Sequence, residues 1–208
     1  MTLREAWTRF IAAEDYETHM AAIGQAPANA SLVAELVAAA APPPASRILI
    51  AGAGTGQMFE FCAPELFRGY ELTCSDISPA FLEKLRARCK CRTVVDDIED
   101  SRLEPGFSLI IVVLVLEHVE WRKALASLTR LRPDRILVVI QRNPQALPHR
   151  ELKGTMRLFD GEIEPNLIRP AALVEQFAHL GFRLVLQRER TVADGKAMVG
   201  LLVAATPA

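Results

Sequence analysis

The stretch ILIAGAGTGQ, Ile48 to Gln57, couples an apolar run to glycines at every second position: Gly52, Gly54 and Gly56. A strand that ends in glycines ahead of a helix makes a turn where a ligand can touch the main chain, because glycine admits backbone angles other residues avoid. The spacing selects among ligands. A dinucleotide fingerprint, G-x-G-x-x-G, would put its third glycine where this chain has Gln57. No G-K-[ST] follows, so the pattern is not a P-loop either. Gly52, Ala53, Gly54 and Gly56 therefore make a candidate cofactor loop of another kind. A tight strand-to-helix turn without a ligand is the alternative reading.

Further candidates follow at the ends of later strand-like runs. Asp76 closes ELTCSD, twenty residues past Gly56. A carboxylate there can accept two hydrogen bonds from the vicinal hydroxyls of a ribose, or cap the helix that ISPAFLEKL begins. The run RTVV leads into Asp96, Asp97, Ile98, Glu99 and Asp100. A carboxylate at that place can accept the exocyclic amine of an adenine; a solvated acidic loop is the plainer reading. The unbroken run LIIVVLVL, Leu109 to Leu116, fits a central strand buried on both faces. It leads to VLEHVEW at the carboxyl edge, where open α/β sheets bind ligands.

Outward from this centre the chain alternates. Strand-like runs at 47–51, 71–74, 92–95, 107–115 and 135–140 are separated by helix-length segments at 57–66, 79–89 and 121–131. That rhythm predicts a parallel sheet covered on both faces. The C-terminal part differs. RPAALVEQFAHLGF reads as a helix closed by Gly181, and two strand-like stretches, 183–191 and 197–205, flank the hairpin signal Asp194-Gly195. On the other side, residues 2–22 read as a helix, GQAPAN breaks it, and Asn29 or Ser31 caps a second helix to about Ala40. APPPAS then marks a boundary. The expected organisation is a helical cap over 1–45 and a ligand-binding core over 46–208.

Composition narrows the classes. The chain has 208 residues, half of them hydrophobic, and a net charge of −1. A full core can form, and no electrostatic case exists for nucleic acid or an anionic membrane as main partner. The basic cluster Arg86, Arg88, Lys90 and Arg92 reads as a solvated helix face. MTLREAWTRF lacks the apolar core of a signal peptide, and the longest apolar run is far short of the about 20 residues a bilayer requires. A cytoplasmic setting is expected. Cys62, Cys74, Cys89 and Cys91 contain no C-x-x-C pair, so reduced thiols rather than a metal site are expected.

The motifs ILIAGAGTG, LTCSDISPAFLEKLRAR, VVDDIED, FSLIIVVLVLEHV and LRPDRILVVI resemble those of the Rossmann-like S-adenosylmethionine-dependent methyltransferases, from about Ser46 to the C-terminus. The resemblance implies a three-layer sandwich whose seven-stranded, mostly parallel sheet has an antiparallel last strand inserted beside the fifth. It implies that Gly52, Gly54 and Gly56 lie under the methionine part of the cofactor. Asp76 would hold the ribose hydroxyls, with Ile77 against the adenine. Asp97 would hold the adenine amine with Ile98 on the ring, and the backbone near Val113 would face the ammonium group. Two positions depart from the family pattern. Ile50 stands where an acid is usual, and Ser108 follows Phe107 where the fourth motif has Phe-Asp. The Asp/Asn-Pro-Pro-aromatic motif of base amino-methyltransferases is absent after the fourth strand, which argues against DNA as substrate.

A sulfonium methyl donor needs alignment and proton removal more than elaborate machinery. His118 is the candidate general base, with packing as its plainer role, and Tyr16 and His19 come second. The irregular segment 142–165 carries His149, Arg150, Lys153 and Arg157; it would suit an acidic group on the acceptor, and a solvated loop is the equal alternative. The expected function is O- or N-methylation of a small molecule. The alternatives are a non-catalytic S-adenosylmethionine-binding regulator, or an enzyme acting on protein or, less favoured by the charge, RNA. The sequence leaves the oligomeric state open.

Overall fold

The computed structural model describes residues 7, 12–14, 17–18, 25–63, 65–143, 166–192 and 195–207. Its frame is one seven-stranded sheet. Strand β1 (Arg47–Ala51) runs parallel to β2 (Glu71–Asp76) on one side and β4 (Leu109–Val113) on the other. Strand β3 (Arg92–Val95) flanks β2, and β5 (Arg135–Arg142) flanks β4, both parallel. Strand β7 (Ala197–Ala205) inserts antiparallel between β5 and β6 (Phe182–Thr191). The order is β3-β2-β1-β4-β5-β7-β6, as the resemblance implies.

Alternation along the strands divides the core into two layers. Leu49, Ala51, Ile110, Val112, Ile136 and Val138 face helices α3 (Trp121–Arg130) and α4 (Pro170–His179), where Leu125, Leu128, Leu173 and Phe177 meet them. Ile48, Ile50, Ile111 and Leu137 face α1 (Gln25–Ala40) and α2 (Pro79–Arg88), against Leu32, Leu36, Leu82 and Leu85. Because both faces are covered, β4 has no polar residue to alternate with, and Leu109 to Val112 are all fully buried.

Local signals explain the helix ends. Ser78 caps α2, its hydroxyl accepting from the Phe81 amide at 3.4 Å, and Pro79 occupies the first turn. Pro170 starts α4, and Gly181 follows it with φ 82°. Other expectations shift. Helix α1 begins at Gln25, so most of GQAPAN is helical; Pro27 falls in the first turn, where no amide partner is needed. The segment read as a helix from Gln57 is a 3-10 turn over Gln57–Glu60. Pro64 disfavours the α conformation at Ala63, which cuts the helix short. Strand β4 stops at Val113 because Leu114 adopts a left-handed φ of 54°. Most of the helix expected over 2–22, Tyr16 and His19 within it, lies outside the described residues. So do Asp194 and the 142–165 segment beyond Asn143.

No helix among the described residues is long and apolar enough to cross a membrane. The four cysteines are free. Among the described residues no group of three or more His, Cys, Asp or Glu is placed to hold a metal ion.

Candidate active site

The carboxyl ends of β1, β2 and β4 open onto a cleft. Its floor is the glycine loop. Gly52, Gly54 and Gly56 have φ of 69°, 58° and 75°, all left-handed. At Gly52 the requirement is doubled. A Cβ there would lie 2.4 Å from a methyl of Val115, so the loop and the chain after β4 touch only because that side chain is missing. The loop is tied down by the Ala53 amide, which donates to the Ser75 carbonyl at 2.8 Å.

Asp76 organises the next wall. Its Oδ2 accepts from the Gly54 amide at 2.8 Å and its Oδ1 from the Ser78 amide at 2.9 Å. Burial raises its carboxyl pKa, and the amide hydrogen bonds from Ser78, Gly54 and Ile77 oppose that rise. A carboxylate offers about four lone pairs. Three amides engage it at most, which leaves acceptor capacity for a ligand. Asp97 caps the 3-10 turn Ile98–Asp100, its Oδ1 accepting from the Glu99 amide at 3.0 Å. Ile98 is buried beneath it.

The far wall comes from the turn after β4. His118 lies in the 3-10 turn Leu116–His118 and lines the cleft. Its Nδ1 is buried with no hydrogen-bond partner, and its ring meets Trp7 edge-on at 5.0 Å. Burial pushes its pKa down to about 4, so the imidazole is neutral at physiological pH. Glu117 beside it is also buried. One oxygen accepts from the Gln141 amide at 2.8 Å and the other has no partner. Burial pushes this carboxyl up to about 7. Leu114, in its left-handed conformation, also lines the cleft.

Of the residues proposed from sequence, Gly52, Gly54, Asp76, Ile77, Asp97, Ile98, Val113 and His118 come together on this cleft. Ala53 and Gly56 do not line it. Ala53 packs with the α1 and α2 layer, and Gly56 is turned toward Leu85, 3.0 Å from where a Cβ would sit. Sequence reasoning missed Trp7 and Phe81, which face each other edge-on at 6.2 Å above the cleft. It also passed over Glu117 for its neighbour. The signal for Glu117 was available: an acid directly behind an eight-residue apolar run must be buried or turned sharply outward.

Residues 49–134 match the methyltransferase-domain family. No curated protein sequence matches the chain. Among solved structures the chain is similar to the magnesium protoporphyrin IX methyltransferase of Synechocystis with bound SAH, at 20% identity. That likeness covers 88% of this chain and 84% of the other, with a TM-score of 0.66. It is similar to a chain of the Haloferax volcanii complex between the Trm112 methyltransferase activator and a methyltransferase, at 13% identity, over 90% of this chain and 96% of that one, with a TM-score of 0.67. It is similar as well to the geranyl diphosphate C-methyltransferase of Streptomyces coelicolor, at 11% identity, covering 78% and 73%, with a TM-score of 0.61. At these identities the likeness speaks for the fold.

Proposed function

We propose that this chain, which over residues 49–134 matches the methyltransferase-domain family, is an S-adenosylmethionine-dependent methyltransferase that methylates an oxygen or nitrogen of a small-molecule acceptor. The observation that carries the proposal is His118: a neutral imidazole with an unpartnered Nδ1, in the cleft wall across from the glycine loop. When bound, S-adenosylmethionine supplies a methyl group already activated on its sulfonium. The chain must hold the cofactor, align the acceptor and receive a proton.

The residues fit those tasks. Asp76, Asp97, Ile77 and Ile98 line the cleft together; Asp76 would accept from ribose hydroxyls, Asp97 from the adenine amine, and Ile77 and Ile98 would give the base apolar contact. The left-handed glycines let the backbone approach the amino-acid end. His118 takes the acceptor proton at Nδ1. An imidazole with a pKa of about 4 is a weak base, and this favours a hydroxyl acceptor. A hydroxyl oxygen gaining a methyl group becomes strongly acidic and releases its proton even to a weak base, whereas an alkylated ammonium would retain it. Trp7, Phe81 and Val119 give the mouth an aromatic and apolar rim suited to a small organic acceptor. At the N-terminal end, Trp7 covers the mouth of the cleft, while α1 belongs to a layer of the sandwich. The free cysteines fit a reducing cytoplasm.

Calorimetry with S-adenosylhomocysteine, followed by methyl transfer to a panel of small hydroxyl and amino compounds, tests the proposal. His118→Asn is expected to lower turnover about 100-fold or more with cofactor affinity unchanged. Transfer to none of the panel, with cofactor bound, would reject the small-molecule reading. Full turnover in His118→Asn would reject the base.

A further inference from the structure

Arg88 is the last residue of α2 and stands behind the glycine loop, away from the cleft. Its guanidinium binds in three directions. Nη1 and Nη2 grip the two carboxylate oxygens of Glu17 at 2.5 and 3.2 Å. Nη1 also donates to the carbonyl of Thr55, inside the glycine loop, at 2.9 Å. Nε donates to Glu60 at 2.6 Å. One turn earlier on the same helix, Lys84 pairs with Glu14 at 2.6 Å. Gln57 adds a further tie, its amide donating to the Glu17 carbonyl at 3.2 Å. Arg88 and Glu17 keep only about a fifth of their side-chain surface exposed, 22% and 18%, so solvent screens the pair incompletely.

We infer that Arg88 is a positioning residue that clasps the N-terminal segment to the glycine loop, coupling the loop's shape to the seating of Trp7 over the cleft. Three features support this. The planar five-donor guanidinium grips the Glu17 carboxylate with two nitrogens while also contacting the loop backbone and Glu60, a geometry that the three donors of an ammonium do not reproduce. The loop contact falls on Thr55, between Gly54 and Gly56. Trp7, in the same N-terminal segment as Glu17, rests on His118 and Phe81 at the mouth. The inference rests on the reading of this loop as the cofactor site; the clasp itself does not.

Two measurements on the full chain test it: acrylamide quenching of Trp7 emission without ligand, in a Trp121→Phe background, and stopped-flow release of S-adenosylhomocysteine. Arg88→Ala and Glu17→Gln are each expected to increase quenching and to speed release about tenfold or more, through lost charge-assisted hydrogen bonds. The double variant should be no faster than the faster single one, because both changes open the same contact. Arg88→Lys should restore only part of the effect. Arg86→Ala, which removes a neighbouring charge bound to Thr93, should change neither readout. Unchanged quenching in folded Arg88→Ala and Glu17→Gln would overturn the clasp, even if the cofactor reading had failed on its own. Increased quenching with unchanged release would reduce the contact to a structural ion pair and overturn the coupling. If Arg88→Ala does not fold, Glu17→Gln, which keeps the side chain's shape, decides both.

Discussion

Glu117 and His118 are consecutive residues of one buried turn, and burial drives them apart: the carboxyl up to about 7, the imidazole down to about 4. Their effects on stability have opposite signs. Between about pH 4.5 and 7 the folded chain keeps a proton on Glu117 that the unfolded chain has released, so stability falls as pH rises. Between about pH 4 and 6.5 the unfolded chain binds a proton that folded His118 refuses, so stability rises with pH. Each swing is on the order of 3 kcal/mol, and over the shared window they largely cancel. Glu117→Gln should unmask the rising limb and His118→Asn the falling one, relative to wild type. Urea unfolding at pH 5 and pH 7 reads the slopes, and parallel behaviour of all three proteins would refute the assignment.

Gly52→Ala is expected to remove cofactor binding from a chain that still folds. The new methyl group must displace Val115 from 2.4 Å while the residue holds a left-handed φ, a combined penalty of at least about 1–2 kcal/mol. The loop escapes by moving, and its ligand geometry goes with it. Calorimetry with S-adenosylhomocysteine should find affinity reduced more than about tenfold, with the circular dichroism spectrum of wild type. Wild-type affinity would mean the close approach has no functional role.

Asp76 serves the loop as well as the cleft, so its two variants should differ. Asp76→Ala loses the contacts to Gly54 and Ser78 and should lower both melting temperature and affinity. Asp76→Asn keeps one acceptor oxygen and should spare more of the stability, while affinity still falls about tenfold or more from lost charge-assisted hydrogen bonds. Equal affinity in Asp76→Asn and wild type would exclude Asp76 from ribose recognition.

Ile50 occupies the place where related loops carry an acid, yet it does not face the cleft. It is 3% exposed and packed in the layer that holds Leu82 and Leu85. Restoring the acid should therefore fail. Ile50→Asp puts a carboxyl into an apolar layer, at a cost of several kcal/mol or a strongly raised pKa. A lowered melting temperature without any gain in cofactor affinity is expected. Tighter binding would show that the loop can turn the acid outward.

The central strands of the parallel half are legible because they are buried on both faces, and Arg47–Ala51 has the bounds the apolar pattern predicts. The edge strand Arg92–Val95, partly exposed, keeps its predicted bounds as well. Asp76 and His118 are legible for a related reason, since each ends a run whose carboxyl edge must face the ligand. Trp7 was not, because its partners Phe81 and His118 are contributed by segments more than seventy residues away, and no local periodicity encodes such a meeting. Arg88 was read within a basic run as a solvated charge. Only the approach of Thr55 and Glu17 makes it otherwise.

The insertion of β7 has a consequence for the order of synthesis. Helix α1 emerges ahead of the whole sheet, and it packs on the last of the seven strands to follow: Gly200 of β7 leaves the gap that Leu36 fills, 2.6 Å from where a Cβ would stand. Until β7 has emerged from the ribosome, β5 has an open edge and the inner face of α1 lacks part of its seat. A nascent chain halted before Ala197 therefore carries an unpaired strand and a loosely docked helix together. Losing the last strand would unseat an element more than 150 residues upstream.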